Sequence, residues 1–158
     1  MHVRPGSAAD LPPLRQLIDS IENFTPDEKD VARELVELAV SAAPAEHADY
    51  KLLVAEDGGA LAGYVCFGPT PMTEATWDLY WIASSPALRG KGAGSHLLLA
   101  MEREVRRRGG RQVRIETSSG GEYALTRSFY DRHDYPEASR LRDFYKPGDD
   151  LVTLYKRL

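Results

Sequence analysis

The most informative stretch of the chain is residues 77–109, WDLYWIASSPALRGKGAGSHLLLAMEREVRRRG. Its first part, residues 77–84, is rich in aromatic and branched side chains and stops at Ser-Ser-Pro, which predicts a strand with a buried face. In its last part, apolar residues recur at three- and four-residue steps before a run of arginines and Gly109. That spacing predicts an amphipathic helix, with cations at its negative end and a glycine where the chain leaves it.

The joint between this strand and this helix is Arg89-Gly90-Lys91-Gly92-Ala93-Gly94. It places three glycines and two cations at the predicted helix N-terminus, where free backbone N–H groups and the helix dipole favour a phosphate. Glycine also lets the backbone approach an anion closely and adopt positive φ. We therefore predict a phosphate-binding turn here.

Two nucleotide-binding motifs fit this turn poorly. A P-loop requires Gly-Lys-Ser/Thr, which occurs nowhere in the chain, and a Rossmann turn would need a third glycine where Ser95 stands. A glycine-rich turn that binds nothing is the remaining alternative, but the surrounding strand, turn and helix pattern counts against it.

Composition excludes several classes of protein. The 158 residues suit a single domain covering residues 1–158, and the single cysteine, Cys66, rules out an internal disulfide and fits a reducing compartment. The N-terminal residues contain no long apolar run, so we expect a cytoplasmic protein without a membrane span. A net charge of -4 argues against a nucleic-acid-binding surface. The four histidines show no ligand spacing, so we expect no metal.

The rest of the chain predicts an α+β fold. Thr25 and Glu28 form a capping-box pattern before a helix that should turn Val31, Leu35 and Leu38 inward. The remaining predicted strands are residues 1–5, 50–56, 60–67, 112–117, 138–145 and 151–156, and the remaining helices are residues 11–21 and 123–133. The predicted order is β-α-α-β-β-β-α-β-α-β-β, a mixed, mostly antiparallel sheet with flanking helices.

Two segments resemble motifs of the GNAT superfamily of N-acetyltransferases. Arg89, Gly92 and Gly94 match its acyl-coenzyme A motif, Arg/Gln-x-x-Gly-x-Gly/Ala, after a strand and at the start of a helix. Residues 126–135, TRSFYDRHDY, resemble its Ala-x-x-Phe-Tyr-x-x-x-Gly-Phe helix end, and Tyr123 stands where the family usually has asparagine. The element order also matches that of the family.

The resemblance implies acetyl-coenzyme A as co-substrate and direct transfer of its acetyl group to a primary amine. It implies that backbone N–H groups hold the pyrophosphate and that one strand pairs with the pantetheine arm and offers an N–H to the thioester oxygen. The residues expected at these places are Ile82, Ala83, Arg89, Gly90, Lys91, Gly92, Ala93, Gly94 and Ser95.

The resemblance also suggests two catalytic side chains. Tyr130 falls on the tyrosine that protonates the departing thiolate in many members, and a phenol is a neutral donor near pH 7. Its alternative is a core aromatic whose hydroxyl merely finds a partner. Asp78 falls where some members have a general base acting through water, and its alternative is a structural carboxylate.

We expect the acceptor site to be acidic and aromatic, which would suit a cationic amine. The residues expected to contact the acceptor are Phe24, Glu28, Tyr80, Glu116 and Asp143. The predicted acceptor is a small-molecule amine; a peptide or protein amine is the alternative, as is an acyl-coenzyme A sensor without turnover. Ordinary solvated carboxylates and core aromatics are the simpler interpretation of each residue. A homodimer through the terminal strands is a further expectation.

Overall fold

A computed structural model describes residues 1–41, 49–88 and 90–158 of the chain. The predicted order of elements is confirmed. The elements are β1 (His2–Pro5), α1 (Leu11–Asp19), α2 (Pro26–Ser41), β2 (Lys51–Asp57), β3 (Ala60–Pro69), β4 (Thr76–Ser84), α3 (Ala93–Arg107), β5 (Gln112–Ser118), α4 (Ala124–Asp131), β6 (Glu137–Lys146) and β7 (Asp149–Arg157). Arg89 lies outside the described residues.

In the described residues, the strands form one seven-stranded sheet in the order β1-β2-β3-β4-β5-β7-β6. Neighbouring strands are antiparallel except β4 and β5, which are parallel and are joined through α3. The sheet is therefore mixed and mostly antiparallel, as expected.

Helices cover both faces of the sheet because alternate residues of β3 point to opposite sides. Val65 and Phe67 pack with α3 in one core cluster, whereas Tyr64 and Cys66 pack with α1 and α2 in the other. No helix in the described parts of the chain is both long and apolar enough to cross a membrane.

The predicted inward face of α2 is wrong for two of its three residues; Leu35 is partly buried and packs against the core. Val31 and Leu38 are 47% and 46% exposed. The buried residues of this helix are instead Ala32, Val36 and Ala39. Two alanines on the buried side let α2 approach the sheet closely, and this rotation turns Val31 and Leu35 toward a cleft.

That cleft begins where β4 and β5 separate. Their pairing runs from Thr76 opposite Gln112 to Leu79 opposite Ile115, and no further pair joins them in the described residues although both strands continue. On its other side β4 contains a bulge, because Cys66 pairs with Trp81 and Phe67 with Leu79, which leaves Tyr80 as the extra residue. A bulge bends the strand and increases its twist, so β4 turns away from β5 beyond this point.

Candidate active site

The diverging strands open a cleft of about 1040 Å³. Residues of α2, β4, β5 and α4 line it together with the segment before α2. The predicted site residues among its lining are Phe24, Glu28, Asp78, Tyr80, Ile82, Ala83, Glu116 and Tyr130. The structure thus brings most of the predicted catalytic and acceptor residues, from four separate segments, to one cavity.

The glycine loop, residues 90–94, leads into α3. Gly90 and Gly92 have φ values of 81° and 78°, a left-handed conformation that strains other residues, and Gly92 stands directly before the helix. A Cβ on Gly94 would lie 3.3 Å from the ring of Phe129 on α4, so a larger residue would press on that ring. The glycines are therefore required by this backbone, and the first N–H groups of α3 remain open to a ligand.

The cation of the glycine loop is already paired. Lys91 Nζ lies 2.7 Å from Oδ2 of Asp57, the last residue of β2, and both side chains are partly exposed. This ion pair lowers the pKa of Asp57, mainly through the hydrogen bond from Lys91. The pair holds the loop against the β2–β3 hairpin.

Tyr130 is on α4 and lines the cleft. Its side chain is 3% exposed, and its ring packs edge-on against Phe129 and Tyr135 at centroid distances of 5.3 and 6.0 Å. No hydrogen bond joins its hydroxyl to the described part of the chain. Burial raises the pKa of this phenol, which keeps it protonated and able to donate. Within the described residues, Tyr130 thus lacks the structural hydrogen bond that a core tyrosine would make.

Asp78 is buried at the point where β4 and β5 still pair. Arg114 stands opposite it on β5, and its Nε donates to Asp78 Oδ1 at 2.7 Å. The same guanidinium lies 3.6 Å from Glu116 Oε1, and its pKa is raised, first by the hydrogen bond to Asp78. Arg114 was not among the predicted residues, although the alternation in residues 112–117 already places it on the same face as Glu116.

Tyr123, directly before α4, reaches across the cleft to Glu28 on α2. Its hydroxyl donates to Glu28 Oε1 at 2.6 Å, across 95 residues of chain. The other carboxylate oxygen of Glu28 accepts the N–H of Thr25 at 2.7 Å, which confirms the capping box at the start of α2. Burial, followed by the bond to Glu28, raises the pKa of Tyr123. The departure from the family's asparagine was the only sequence signal for this contact.

The lining of the cleft is acidic and aromatic. The basic residues in its lining are Arg114 and Lys146. The acidic ones are Asp27, Glu28, Asp78, Glu116, Glu122 and Asp149. Phe24 and Trp81 meet edge-on with centroids 4.9 Å apart, and Tyr80 packs likewise against Tyr50 at 5.3 Å. Among residues 1–41, 49–88 and 90–158, no group of three or more His, Cys, Asp or Glu side chains could hold a metal ion.

Asp143 is the predicted acceptor residue that the structure does not bring into the cleft. It lies exposed on β6 with a φ of 53°, and its Oδ1 accepts the N–H of Gly148 at 2.7 Å. Its carboxylate therefore stabilises the turn between β6 and β7.

The chain matches the family model described as acetyltransferase (GNAT) family over residues 15–135. Among solved structures, a protein assigned to the GNAT acetyltransferase family from Desulfovibrio desulfuricans is 38% identical, with a TM-score of 0.91 over 99% of this chain and 98% of that one. A comparison with curated proteins gave no match.

Two further structures share the fold at lower identity. An aminoglycoside 6'-N-acetyltransferase complexed with coenzyme A has a TM-score of 0.76 at 16% identity, over 99% of this chain and 97% of that one. The Escherichia coli ribosomal-protein-S18-alanine N-acetyltransferase has a TM-score of 0.75 at 18% identity, over 99% and 92%. With the family match and the near-complete overlap at 38% identity, the chain belongs to the GNAT family of acetyltransferases.

Proposed function

We propose that the protein transfers an acetyl group from acetyl-coenzyme A directly to a primary amine of a small cationic molecule. The observation that supports this best is the cleft between β4 and β5, which combines an unpaired strand edge, a buried phenol and an acidic acceptor end. Each part supplies one requirement of acyl transfer.

The donor half of the site is mostly backbone. Beyond Leu79, the edge of β4 that faces β5 has no strand partner in the described residues, so Ile82 and Ala83 are available to pair with the amide groups of pantetheine. The N–H groups from residue 90 to Ser95 hold the pyrophosphate, because a helix N-terminus favours an anion. Lys91 adds charge after exchanging Asp57 for a phosphate oxygen, and Arg89 is proposed as the second cation from its sequence position alone.

The transfer is a direct displacement in the ternary complex. The amine nitrogen attacks the thioester carbon, and a β4 backbone N–H stabilises the resulting oxyanion. Collapse of this intermediate breaks the carbon–sulfur bond, and the Tyr130 hydroxyl gives its proton to the departing sulfur. The proton of the attacking amine leaves through water to Asp78, whose second carboxylate oxygen, Oδ2, is not used by Arg114.

Electrostatics argue for a cationic acceptor. The six carboxylates of the cleft lining outnumber its two cations, and aromatic side chains lie beside them. A surrounding excess of negative charge raises the local concentration of a positive substrate. Glu28 and Glu116 are the proposed contacts for its further positive groups, because neither is neutralised by a close, buried ion pair.

A thiol-release screen tests this proposal. Amines of matched size with one, two or three positive charges, together with short peptides, are compared at fixed acetyl-coenzyme A. We expect kcat/KM to rise with the charge of the small amines. A preference for peptide N-termini over every small amine would replace the proposed acceptor, and binding without turnover on the whole panel would favour a sensor.

Strand β6 is the proposed site of homodimer contact. It is an edge strand with all ten of its residues exposed, including Leu141 at 55% and Phe144 at 56%. In a two-fold antiparallel pair, Glu137 of one copy would oppose Lys146 of the other. Analytical ultracentrifugation of the protein and its Phe144→Lys variant tests this contact.

We also propose a cytoplasmic location, since the one cysteine, Cys66, is free and buried.

A further inference from the structure

His133 connects the end of α4 to the first turn of α3. Its Nδ1 lies 2.8 Å from the carbonyl oxygen of Phe129, and its Nε2 lies 3.0 Å from Ser95 Oγ. The ring is half-buried and packs on Phe129 with centroids 4.5 Å apart. Both ring nitrogens therefore have fixed partners.

These partners determine where the hydrogens lie. A carbonyl oxygen can only accept, so Nδ1 must bear a hydrogen and donate it to Phe129. In the neutral ring Nε2 then has no hydrogen and can only accept, which requires the Ser95 hydroxyl to donate to it. A serine hydroxyl has one hydrogen, so Ser95 cannot donate to an anion while His133 is neutral.

Protonation of the ring reverses this bond. Both nitrogens of an imidazolium are donors, so Nε2–H donates to Ser95 Oγ and the serine hydrogen becomes free. Ser95 is the third residue of α3, directly after the glycine loop, where the free N–H groups of the helix face a phosphate. The released hydrogen is then available for a phosphate oxygen.

We propose that His133 is a positioning residue for the coenzyme: its protonation turns Ser95 into a donor to the pyrophosphate, so that acyl-coenzyme A binds with uptake of a proton. This inference rests on the proposed function, because it takes coenzyme to be the ligand of the glycine loop.

Two of the charged groups near His133 form an ion pair with each other. The titratable and charged groups around it are Lys156 on β7, Glu102 and His96 on α3, and Asp131, Arg132 and Asp134 beside it in the chain. Lys156 Nζ donates to the His133 carbonyl and to Glu102 Oε1, each at 2.9 Å. Arg132 donates to Ser128 Oγ at 2.8 Å. A pyrophosphate bound at the glycine loop adds negative charge, which favours the imidazolium.

Calorimetric titration with dephospho-coenzyme A between about pH 5.5 and pH 8.5 tests the proposal. This probe lacks the 3'-phosphate, whose own titration would confuse the result. We expect the affinity of the wild-type protein to fall about tenfold over this range, the value of one hydrogen bond to a charged group. Repeating the titration at mid-range pH in buffers of different ionisation enthalpy measures the proton uptake directly.

Three variants separate positioning from structure. His133→Gln places an amide nitrogen near the position of the histidine Nε2. This amide donates to Ser95 at every pH, so the affinity of the variant for dephospho-coenzyme A should stay at the low-pH value. Ser95→Ala removes the hydroxyl and should bind with the high-pH value throughout. His96→Gln is the matched control and should leave the pH dependence unchanged. His96 is exposed, and within the described residues its ring bonds to Gly92 O and not to Ser95.

An unchanged pH dependence in His133→Gln or in Ser95→Ala would overturn the inference, as would its loss in His96→Gln. In each of these cases the coenzyme still binds and the proposed function stands. No binding of dephospho-coenzyme A or acetyl-coenzyme A to the wild-type protein at any pH would overturn the proposed function, and this inference with it.

Discussion

Tyr130→Phe should remove catalysis without removing stability. The hydroxyl makes no hydrogen bond to the described residues, and phenylalanine keeps the ring contacts with Phe129 and Tyr135. We therefore expect the free energy of unfolding to change by less than about 0.5 kcal/mol. The loss of a general acid should lower kcat about 10²- to 10⁴-fold, with little change in the affinity for acetyl-coenzyme A.

Tyr135→Phe is the matched control from the same segment. Its hydroxyl donates to the buried Glu102 Oε1 at 3.0 Å, and its ring centroid lies 6.0 Å from that of Tyr130. Deleting this hydroxyl leaves a buried carboxylate with one donor fewer, which costs about 1–3 kcal/mol. Turnover of the folded variant should stay near that of the wild-type protein. Tyr130→Phe should thus lower turnover and keep stability, whereas Tyr135→Phe should lower stability and keep turnover.

Thiol release at saturating substrates gives kcat, and urea denaturation gives the free energy of unfolding. Because burial raises the pKa of Tyr130, this phenol stays protonated and should cause no loss of rate below about pH 10. A Tyr130→Phe variant with wild-type kcat would refute its role as the acid. A loss of stability equal to that of Tyr135→Phe would refute the claim that its hydroxyl has no structural partner.

Three further predictions concern charged groups. Two hydrogen bonds from Arg4 lower the pKa of Asp10 to about 2. The ion pair should therefore stabilise the fold by about 1–2 kcal/mol above about pH 4, and this contribution should disappear toward pH 2. In acid denaturation, Asp10→Asn should abolish this pH dependence. Lys156→Met removes the cation closest to buried Glu102 and should lower the free energy of unfolding by about 3 kcal/mol, measured by urea denaturation. Adding Glu102→Gln should restore part of that free energy. A Lys156→Met variant as stable as the wild-type protein would contradict this. Glu116→Gln should raise KM for a dicationic amine but not for a monocationic one. The increase should be only about twofold, because this carboxylate is partly exposed. Equal changes in KM for both amines would exclude Glu116 from the acceptor site.

Local sequence signals predicted the glycine loop, the start of α2 and the order of the helices and strands. The glycine loop has its positive φ values at Gly90 and Gly92, and the Thr25 and Glu28 capping box begins α2 as expected. Each depends on residues within one turn of each other, where propensity and spacing are informative. The element order followed from such signals because every boundary had its own turn or cap.

Contacts between distant segments were not predictable in this way. Tyr123 meets Glu28 across 95 residues, and Arg114 meets Asp78 across 36, only because the sheet places β4 beside β5 and α4 across from α2. The face of α2 was misjudged for a related reason: Val31 looks like a core residue until the cleft beside it is known. Neither spacing nor composition contains that information.

The central claim is that acetyl-coenzyme A binds through the glycine loop, and calorimetric titration of the wild-type protein against Gly92→Glu tests it most directly. Glutamate at this position would place an anion against the phosphates and strain a backbone with a φ of 78°. We expect saturable one-to-one binding to the wild-type protein and none to the variant, with both proteins folded by circular dichroism. Equal binding to both proteins, or no binding to the wild-type protein, would contradict the account.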